Sequence, residues 1–527
     1  GSRNAPLIIG FDASEDIKTL SIVDERCAAF FALGIAQQTR KPVALLCTSG
    51  SALLNYYPAI AEAYYSNIPL LIISADRPSH LIDIGDGQTI KQENVFENHI
   101  LYAANLGTKK DTENLKKAIE TVIHKKGPVH INVPFDEPLY EIEYVNYPKK
   151  EEVVEELKTS LIDEIPLEVE VLQKYADIWN ASTKKMVLVG AHFPDELLQT
   201  QLEHLVKDSS VLVLIENTAN VSHLKFINSI DKLIFPLDDD ELEKFRPDIL
   251  LSLGGLIVSK KIKQHLRKYK PTHHWHADAK NAFDTFHCLT HHFKISAQLF
   301  FSQFFFLTKT TKSNYQNYWL QKKQFRLKKH QEFITNCAFS DLKVFSKVLA
   351  SIPNNSKLQL SNSSVIRYSQ LFDINNTLHI FCNRGTSGID GSTSTAIGAA
   401  FSVKENTVFI TGDISFFYDS NALWNNYIPS NFRIIVINNG GGGIFRFIPG
   451  PKESNALDYF ETPHNLTAAH LCKMYNFEYS IVENENDLNT QLSKFYKKSN
   501  FPKLLEVFTP REENDKILKA YFNNLKE

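Results

Sequence analysis

Short apolar runs rich in valine, isoleucine and leucine alternate along the chain with longer segments whose apolar residues recur at helical spacing. Such runs are typical of strands buried on both faces of a parallel sheet. They fall into three sets, separated by a Pro-rich acidic stretch at 134–166 and an aromatic, basic stretch at 300–339. The predicted strands are 43–47, 70–74 and 129–133, then 186–189, 211–215 and 249–253, then 358–360, 378–381, 407–411, 433–437 and 504–508.

The longer segments predict helices at 27–37, at 51–66 and within 300–339. Alternation of strands and helices repeated three times predicts an α/β protein with three doubly wound parallel-sheet domains. We place these domains at 1–150, 151–335 and 336–527, with 134–166 as the linker between the first two.

Composition and charge exclude several classes of protein. Of the 527 residues, 43% are hydrophobic and 22% are charged, which is ordinary for a soluble globular protein. The net charge of −3 gives no reason to expect nucleic acid as a partner, and no apolar run reaches the ~18 residues that span a membrane. The six cysteines form no CxxC pair, which argues against a disulfide framework and favours the reducing cytoplasm. The 18 histidines lack HExxH spacing, so we assign no catalytic histidine.

Two polar turns follow two strongly apolar predicted strands of the third set. Gly412 and Asp413 end the first strand, and Asn439 to Gly441 end the second, 26 residues later. In a parallel sheet both turns emerge at the carboxyl edge, where open α/β sheets bind ligands. The carboxylate, the amide and the Gly441 carbonyl offer oxygen ligands that suit Mg²⁺, with Mn²⁺ as an alternative. The helix after Ser415 would present its amino end to a diphosphate. Either turn alone could be an ordinary one, but the pair favours a metal and diphosphate site.

This pair of turns resembles the cofactor signature of thiamine-diphosphate-dependent enzymes, although Ile414 stands where many members have glycine. The resemblance implies that Glu25 is the catalytic carboxylate, which bonds N1′ of the aminopyrimidine and thereby promotes loss of the C2 proton. Without the resemblance, a glutamate at a helix start would be a solvated residue stabilised by the helix dipole. The family pairs a pyrimidine-binding domain (here 1–150) of one subunit with a diphosphate-binding domain (here 336–527) of another. The resemblance therefore implies a homodimer or homotetramer, with the domain at 151–335 as the central one.

Further strings narrow the resemblance to one group within this family, the 2-succinyl-5-enolpyruvyl-6-hydroxy-3-cyclohexene-1-carboxylate synthases of menaquinone biosynthesis. The strings are GSRNAP (1–6), SIVDER (21–26), TSGSALLNYYPA (48–59), SADRP (74–78), GDGQTI (85–90), SNSSVIR (361–367), NRGTSGIDG (383–391) and NNGGGGIF (438–445). The resemblance implies a transferase of aldehyde or ketone residues. It would decarboxylate 2-oxoglutarate and join the succinyl semialdehyde carbanion to isochorismate by 1,4-addition. Both substrates are dicarboxylates, which arginine binds well because its planar fork matches a carboxylate.

The same resemblance assigns site residues one by one. Those matched to the substrates are Arg3, Arg77, Gln88, Lys260, Lys261, Ser363, Arg367 and Arg384. Those matched to the cofactor are Glu25, Ser387, Ile389, Gly412, Ser415, Ile444 and Phe445, of which Ile389 would prop the cofactor in its bent form. Those matched to the metal are Asp413, Asn439 and Gly441.

Ordinary alternatives remain open for several of these residues. A single arginine is commonly a surface residue, residues 259–276 could form a solvated basic helix and loop, and Ile389 could belong to a core. The family also begins with a strand and a helix ahead of the turn in which this chain starts. We therefore expect the first sheet to lack a strand and Arg3 to lie at a frayed terminus.

Three rival functions differ in what they predict. An acetolactate-synthase-like or decarboxylase-like enzyme with another acceptor does not account for NRGTSGIDG at 383–391. A non-catalytic protein of the same fold would be expected to lose Glu25, Asp413 or Asn439, and all three are present. A nucleotide-binding dehydrogenase would need a GxGxxG turn after an early strand, which the sequence lacks.

Overall fold

A computed structural model describes residues 1–142, 164–447, 450–451 and 455–526. The strands in this part of the chain form three sheets, and every pairing in them is parallel, which confirms the predicted α/β class. The strands are β1 (Val43–Cys47), β2 (Leu70–Asp76), β3 (Tyr102–Asn105), β4 (Val129–Pro134), β5 (Lys185–Val189), β6 (Val211–Ile215), β7 (Ile249–Leu253), β8 (His273–Ala277), β9 (His291–Phe293), β10 (Lys357–Leu360), β11 (His379–Cys382), β12 (Thr407–Gly412), β13 (Phe432–Asn438), β14 (Glu478–Val482) and β15 (Lys503–Phe508).

Helices connect and cover these strands. They are α1 (Ala5–Asp12), α2 (Glu25–Thr39), α3 (Ser51–Asn55), α4 (Tyr57–Ser66), α5 (Asp111–Lys125), α6 (Val169–Ala181), α7 (Glu196–Leu205), α8 (Ile230–Ile234), α9 (Asp239–Phe245), α10 (Lys260–Lys268), α11 (Ala297–Phe304), α12 (Tyr315–Asn336), α13 (Asp341–Ser351), α14 (Ser364–Ser369), α15 (Ser392–Ser402), α16 (Asp413–Tyr418), α17 (Leu457–Glu461), α18 (Ala469–Met474), α19 (Glu485–Phe495) and α20 (Asn514–Asn524). None of the helices in the described part of the chain has the length and apolar character needed to cross a bilayer.

The first sheet has the strand order β1-β2-β4-β3 and contains the three strands predicted from the first set of apolar runs. Strand β3 was not predicted, because only one of its four residues is buried. The single helix predicted at 51–66 is wrong, since the structure has α3 and α4 there. Pro58 lies in the first turn of α4, where proline's missing N–H does not disturb a helix.

The central sheet has the order β6-β5-β7-β8-β9 and includes two strands that the sequence analysis missed. Both β8 and β9 begin with a histidine doublet, which masks their strand character, and His274 of β8 is buried against the Ser252 hydroxyl at 2.8 Å. The helix predicted within 300–339 is divided between α11 and α12. The predicted linker lies largely at 143–163, outside the described residues. The predicted boundary at 335/336 falls on the last residues of α12.

The third sheet has the order β11-β10-β12-β13-β15-β14. Strands β12 and β13 are neighbours in parallel register, with Gly412 opposite Ile437. The turns that follow them therefore emerge side by side at the carboxyl edge of the sheet, as the sequence predicted. This register is what brings Asp413 and Asn439 together.

Two helices join the first domain to the third through backbone-to-backbone packing. A Cβ atom added to Gly34 of α2 would lie 2.1 Å from the Thr395 carbonyl oxygen of α15. A Cβ atom added to Gly398 of α15 would lie 2.0 Å from the Phe31 carbonyl oxygen of α2. No side chain larger than hydrogen fits at either position, so the two domains are held in close register.

Candidate active site

Asp413 lies at the first position of α16, with a side chain that is buried. Its Oδ1 accepts a hydrogen bond from Ile414 N at 2.7 Å, and its Oδ2 accepts one from Gly441 N at 3.0 Å. His464 Nε2 lies 3.4 Å from the same Oδ2. The helix was predicted to start after Ser415, but it starts two residues before it, at Asp413. Because it has only six residues, its dipole contributes less to anion binding than that of a longer helix.

Asn439 supplies the observation that best tests the metal prediction. Its amide Nδ2 donates to Asp341 Oδ2 at 3.0 Å, while its Oδ1 is buried and has no hydrogen-bond partner. Buried polar atoms in proteins almost always have a partner. An amide oxygen held beside the buried Asp413 carboxylate has the character of a ligand for a hard cation. The donor set at this edge therefore fits Mg²⁺ or Mn²⁺, and the described residues contain no cluster of three or more His, Cys, Asp or Glu that could hold one elsewhere.

Asp341 orients this amide and was missed by the sequence analysis. The carboxyl is 1% exposed and accepts hydrogen bonds from Asn439 Nδ2 and from Thr509 Oγ1, the latter at 2.5 Å. Burial raises the pKa of Asp341 to about 6, the two hydrogen bonds oppose this, and the negative charge of Asp413 adds to it. An aspartate directly after a serine reads as an ordinary helix start, so the sequence carries no signal for this role.

The turn after β13 brings the backbone close to neighbouring groups. Gly441 has φ +153°, and a Cβ atom there would lie 2.8 Å from the Glu461 carbonyl oxygen. Gly441 O accepts a hydrogen bond from Gly443 N at 2.9 Å, which leaves a second lone pair on this oxygen. Ile444 and Phe445 follow in a 3-10 helix and are half-buried.

The loop between β11 and α15 carries three of the predicted residues. Ser387 has a left-handed backbone with φ +62°, which is unusual for a residue other than glycine and is found mainly at ligand sites and turns. Ile389 is half-buried, and its carbonyl accepts a hydrogen bond from Ser415 Oγ at 2.7 Å. This bond joins the loop to the start of α16, so the predicted cofactor residues of the third domain lie along one sheet edge.

Arg367 and Arg384 lie close together on the same side of the third domain. Arg384 Nη1 donates to Asn362 Oδ1 at 2.8 Å, and Arg367 Nη1 donates to Ser363 O at 2.5 Å. Burial lowers the pKa of Arg367, and the positive charge of Arg384 lowers it further. Ser363 has φ +67°, a second left-handed serine among the predicted site residues. Two half-buried cations that repel each other have the charge needed to bind an anion.

The central domain adds charged groups to these arginines. Lys263 of α10 has a pKa lowered by burial and by the charge of Arg384. Of the predicted pair, Lys260 is exposed, whereas Lys261 lies over the Phe235 ring at 4.5 Å. Residues 260–268 form a basic helix, as the alternative interpretation proposed, but this helix faces the arginines through Lys263.

Two acids of the central domain face the same cations. Glu216 is fully buried, and Asp231 accepts a hydrogen bond from the Ser259 hydroxyl. Burial raises the pKa of both carboxyls, and the positive charge of Arg384 opposes this at Glu216. The sequence analysis did not predict a role for either acid. Glu216 directly follows β6 and Asp231 lies in the first turn of α8, and both are common positions for an acidic residue.

The predicted residues of the first domain gather at the carboxyl edge of the first sheet. Arg3 is buried, donates to Phe135 O at 2.9 Å and pairs with Glu137 at 3.1 Å, so the expectation of a frayed position is wrong. Arg77 donates to Gly87 O at 3.0 Å. Gln88 is exposed, with φ +55°. No hydrogen bond or ion pair in the described part of the chain joins these side chains to the third-domain site.

Glu25 begins α2 and is half-buried at the same edge of the first sheet. Its negative charge contributes, after burial, to the raised pKa of the Cys47 thiol, about 12, at the end of β1. The adjoining Asp24 accepts a hydrogen bond from Asn421 Nδ2 at 2.9 Å, and Arg26 donates to Tyr418 O at 3.1 Å. These contacts lie at the carboxyl end of α16, about 8 Å from its amino end by the helical rise. Within one chain, the neighbours of Glu25 therefore contact the carboxyl end of α16, whereas Asp413 lies at its amino end.

Family models match both ends of the chain. Residues 1–100 match the model described as thiamine pyrophosphate enzyme, N-terminal TPP binding domain, and residues 363–507 match the corresponding C-terminal TPP binding domain. Thiamine pyrophosphate and thiamine diphosphate are the same molecule. The first match contains Glu25, and the second contains Asp413, Asn439 and the loop at 383–391.

Named relatives match over the whole chain. A protein of Flavobacterium johnsoniae named 2-succinyl-5-enolpyruvyl-6-hydroxy-3-cyclohexene-1-carboxylate synthase is 54% identical, over 100% of this chain and 95% of that protein. Proteins of the same name from Porphyromonas gingivalis and Desulfotalea psychrophila are 37% and 36% identical, over 99% and 98% of this chain and 93% and 95% of their own lengths. With cofactor-domain matches at both ends and this identity throughout, the chain belongs to the 2-succinyl-5-enolpyruvyl-6-hydroxy-3-cyclohexene-1-carboxylate synthase family of thiamine-diphosphate-dependent enzymes.

Proposed function

We propose that the chain decarboxylates 2-oxoglutarate and adds the remaining four-carbon unit to isochorismate by 1,4-addition. The product would be 2-succinyl-5-enolpyruvyl-6-hydroxy-3-cyclohexene-1-carboxylate, for menaquinone biosynthesis. The observation that carries this proposal is the pairing of Asp413 with an unpartnered Asn439 oxygen at adjacent strand ends, in a chain 54% identical to a synthase of that name. A cytoplasmic location stays a prediction, with which the six unpaired cysteines agree.

Three oxygens of the third domain would hold the metal. They are a carboxylate oxygen of Asp413, Asn439 Oδ1 and the free lone pair of the Gly441 carbonyl, which together leave room for diphosphate oxygens. When bound, thiamine diphosphate supplies a nucleophilic carbon and accepts the electrons that remain when CO₂ leaves. Ser387, Ser415, Gly412 and the segment from Ile444 to Phe445 would contact it from the same sheet edge, with Ile389 as the apolar support.

Glu25 would act as the acid that holds a proton at the ring nitrogen of the cofactor. A half-buried carboxylate with no hydrogen bond to another described side chain is free to take this partner.

The substrate carboxylates would bind to the paired cations of the third domain. Arg367 and Arg384 are half-buried, and burial and the positive charge of Arg384 lower the pKa of Arg367, so a carboxylate between the two cations relieves their repulsion. Lys263 extends the same positive field, although the sequence pointed to Lys260 and Lys261. Arg3, Arg77, Gln88 and Ser363 would meet the substrates at the rim formed by the first domain and the loop before α14.

Exposed apolar side chains on the first and third domains support a dimeric enzyme. Apolar side chains stay exposed on the first domain at Val23 (60%) and on the third at Tyr418 (54%) and Trp424 (51%). Asp24 contacts Asn421 and Arg26 contacts the Tyr418 carbonyl, so these side chains lie in one region, and contiguous exposed apolar patches mark surfaces that associate. We therefore propose that the first domain of one subunit covers the third-domain site of a second copy.

Hybrid dimers test this arrangement. Glu25→Gln and Asp413→Ala chains, each inactive alone, are unfolded together and refolded in equal amounts. If a site combines Glu25 of one chain with Asp413 of the other, half of the dimers regain one intact site, and activity returns to about a quarter of the wild-type value. If both residues serve the same chain, every site stays defective and no activity returns.

The reaction itself is tested by CO₂ release from 2-oxoglutarate with thiamine diphosphate and Mg²⁺, with and without isochorismate. We expect slow release alone and much faster release, with a new adduct, when isochorismate is present. Release that does not respond to isochorismate would favour the acetolactate-synthase-like or decarboxylase-like alternative. No release with cofactor bound would refute 2-oxoglutarate as the donor.

A further inference from the structure

Glu62 is a buried carboxylate that the proposed chemistry does not use. It lies on α4 of the first domain and is 1% exposed. Oε1 accepts hydrogen bonds from Ser66 Oγ and Gly385 N, both at 2.7 Å, and Oε2 accepts them from Thr386 N at 2.7 Å and Thr386 Oγ1 at 2.9 Å. Three of the four donors belong to the third domain, more than 300 residues along the chain.

These donors lie on the loop that carries the predicted ligand-binding residues. Arg384 directly precedes Gly385, and Ser387 and Ile389 follow within four residues. A Cβ atom on Gly385 would lie 2.6 Å from the Glu62 carbonyl oxygen, so the loop and α4 are also in backbone contact. The position of the loop is therefore set by a residue of another domain.

A second polar group holds the same loop from inside the third domain. Asn362 Nδ2 donates to the carbonyls of Asn383 and Gly388, both at 2.7 Å, and its Oδ1 accepts from Arg384. Gly385 and Thr386 lie between Asn383 and Gly388 in the chain, and their N–H groups donate their hydrogen bonds to Glu62. The loop residues Arg384 and Gly385 also line a cavity of about 360 Å³, which gives the loop room to move if these bonds are lost.

Only an ionised carboxylate satisfies all four donors. Glutamine would place an NH₂ group against at least one donor, and aspartate is one methylene too short. Hydrogen bonds to a charged acceptor are also about twice as strong as those between neutral groups. We propose that Glu62 is a positioning residue, which acts through the 383–391 loop to hold Arg384 in place for the dicarboxylate substrate. This inference rests on the proposed function, because it assigns Arg384 to that substrate.

The test compares Glu62→Gln with Asp208→Asn. Asp208 is also a buried carboxylate with several hydrogen bonds, from Ser210, Thr311 and Lys185, but it lies in the central domain among groups that the site does not use. Both variants should lose thermal stability. We expect Glu62→Gln to raise the KM for 2-oxoglutarate at least about tenfold, with a smaller change in kcat, whereas Asp208→Asn leaves both constants within about twofold of the wild-type enzyme.

A milder variant covers the case in which Glu62→Gln does not fold. Thr386→Val removes a single hydrogen bond of the carboxylate and keeps the backbone, so it should raise the same KM about threefold to tenfold. If Glu62→Gln or Thr386→Val loses stability as Asp208→Asn does but keeps the wild-type KM, Glu62 has only a structural role and the inference is wrong. The wild-type assay separates this failure from that of the proposed function, since an inactive wild type would refute the function first.

Discussion

Glu216 allows a quantitative test of the electrostatics beside the predicted substrate arginines. The side chain follows β6 and is 1% exposed. Its Oε1 accepts hydrogen bonds from Val258 N at 3.0 Å and Ser259 N at 3.1 Å. Burial raises the pKa of Glu216 to about 7, and the charge of Asp231 adds to this, whereas the backbone hydrogen bonds and Arg384 oppose it.

The expected free energy follows from the linkage between protonation and folding. Against an ordinary pKa of 4.5, a folded pKa of about 7 means that the ionised Glu216 destabilises the fold by about 3 kcal/mol. Because this pKa is raised on folding, the contribution of Glu216 to stability is most favourable below about pH 4.5 and is lost as the pH rises through about 7. Glu216→Gln keeps the oxygen that accepts both backbone bonds and removes the charge. We expect the free energy of unfolding of the variant to exceed that of the wild type by about 1–3 kcal/mol at pH 8. This range allows for the cost of one unpartnered amide N–H group in the variant.

Urea unfolding followed by tryptophan fluorescence measures this difference. The central domain contains three buried tryptophans, Trp179, Trp275 and Trp319, which report on its unfolding. The stability gap between Glu216→Gln and the wild type should shrink from pH 8 towards pH 5. Glu203→Gln, a change at an exposed glutamate of the same domain, should show no gap at any pH. A Glu216→Gln chain that is less stable than the wild type at pH 8, or a gap that does not depend on pH, would refute the reasoning.

Three further predictions concern the metal and the cofactor. Glu25→Gln should fold and bind Mg²⁺ but lose at least about a hundredfold in turnover, because the amide cannot act as an ionised acid; near-normal CO₂ release would remove Glu25 from the mechanism. Asp413→Ala should weaken Mg²⁺ binding in the presence of thiamine diphosphate by at least about tenfold in calorimetric titration, and an unchanged Kd would exclude Asp413 from the site. Asp341→Asn should weaken the same binding by about 10–100-fold, because the neutral amide has one accepting oxygen for the two donors Asn439 Nδ2 and Thr509 Oγ1, and excess Mg²⁺ should restore activity. An Asp341→Asn chain with wild-type affinity would show that Asn439 keeps its orientation without the carboxylate.

The local pattern of the chain was sufficient for strands that are covered on both faces. Strands β6 and β7 match the predicted bounds, because a strand inside a doubly covered sheet reads as one continuous apolar run. The missed strands β3, β9 and β14 each have a single buried residue, so no such run is required in them. Strand β8 has neighbours on both sides, but three of its five residues are histidines, so it does not form an apolar run. Burial, rather than position in the chain, explains what could be predicted of the fold.

The candidate site likewise contains residues that local sequence predicts and residues that it does not predict. Asp413, Asn439 and Gly441 could be chosen as candidates from the sequence, because each lies within three residues of a strand end and parallel strands bring their ends to one edge. Glu62, Asp341 and their partners could not be found, because their contacts join residues about 100 to more than 300 positions apart. Glu62 has the sequence context of any polar residue on a helix, and its four hydrogen bonds exist only once the first and third domains have packed. The groups proposed to carry the chemistry follow local rules of strand and turn, whereas the groups that hold them in place depend on which surfaces meet on folding.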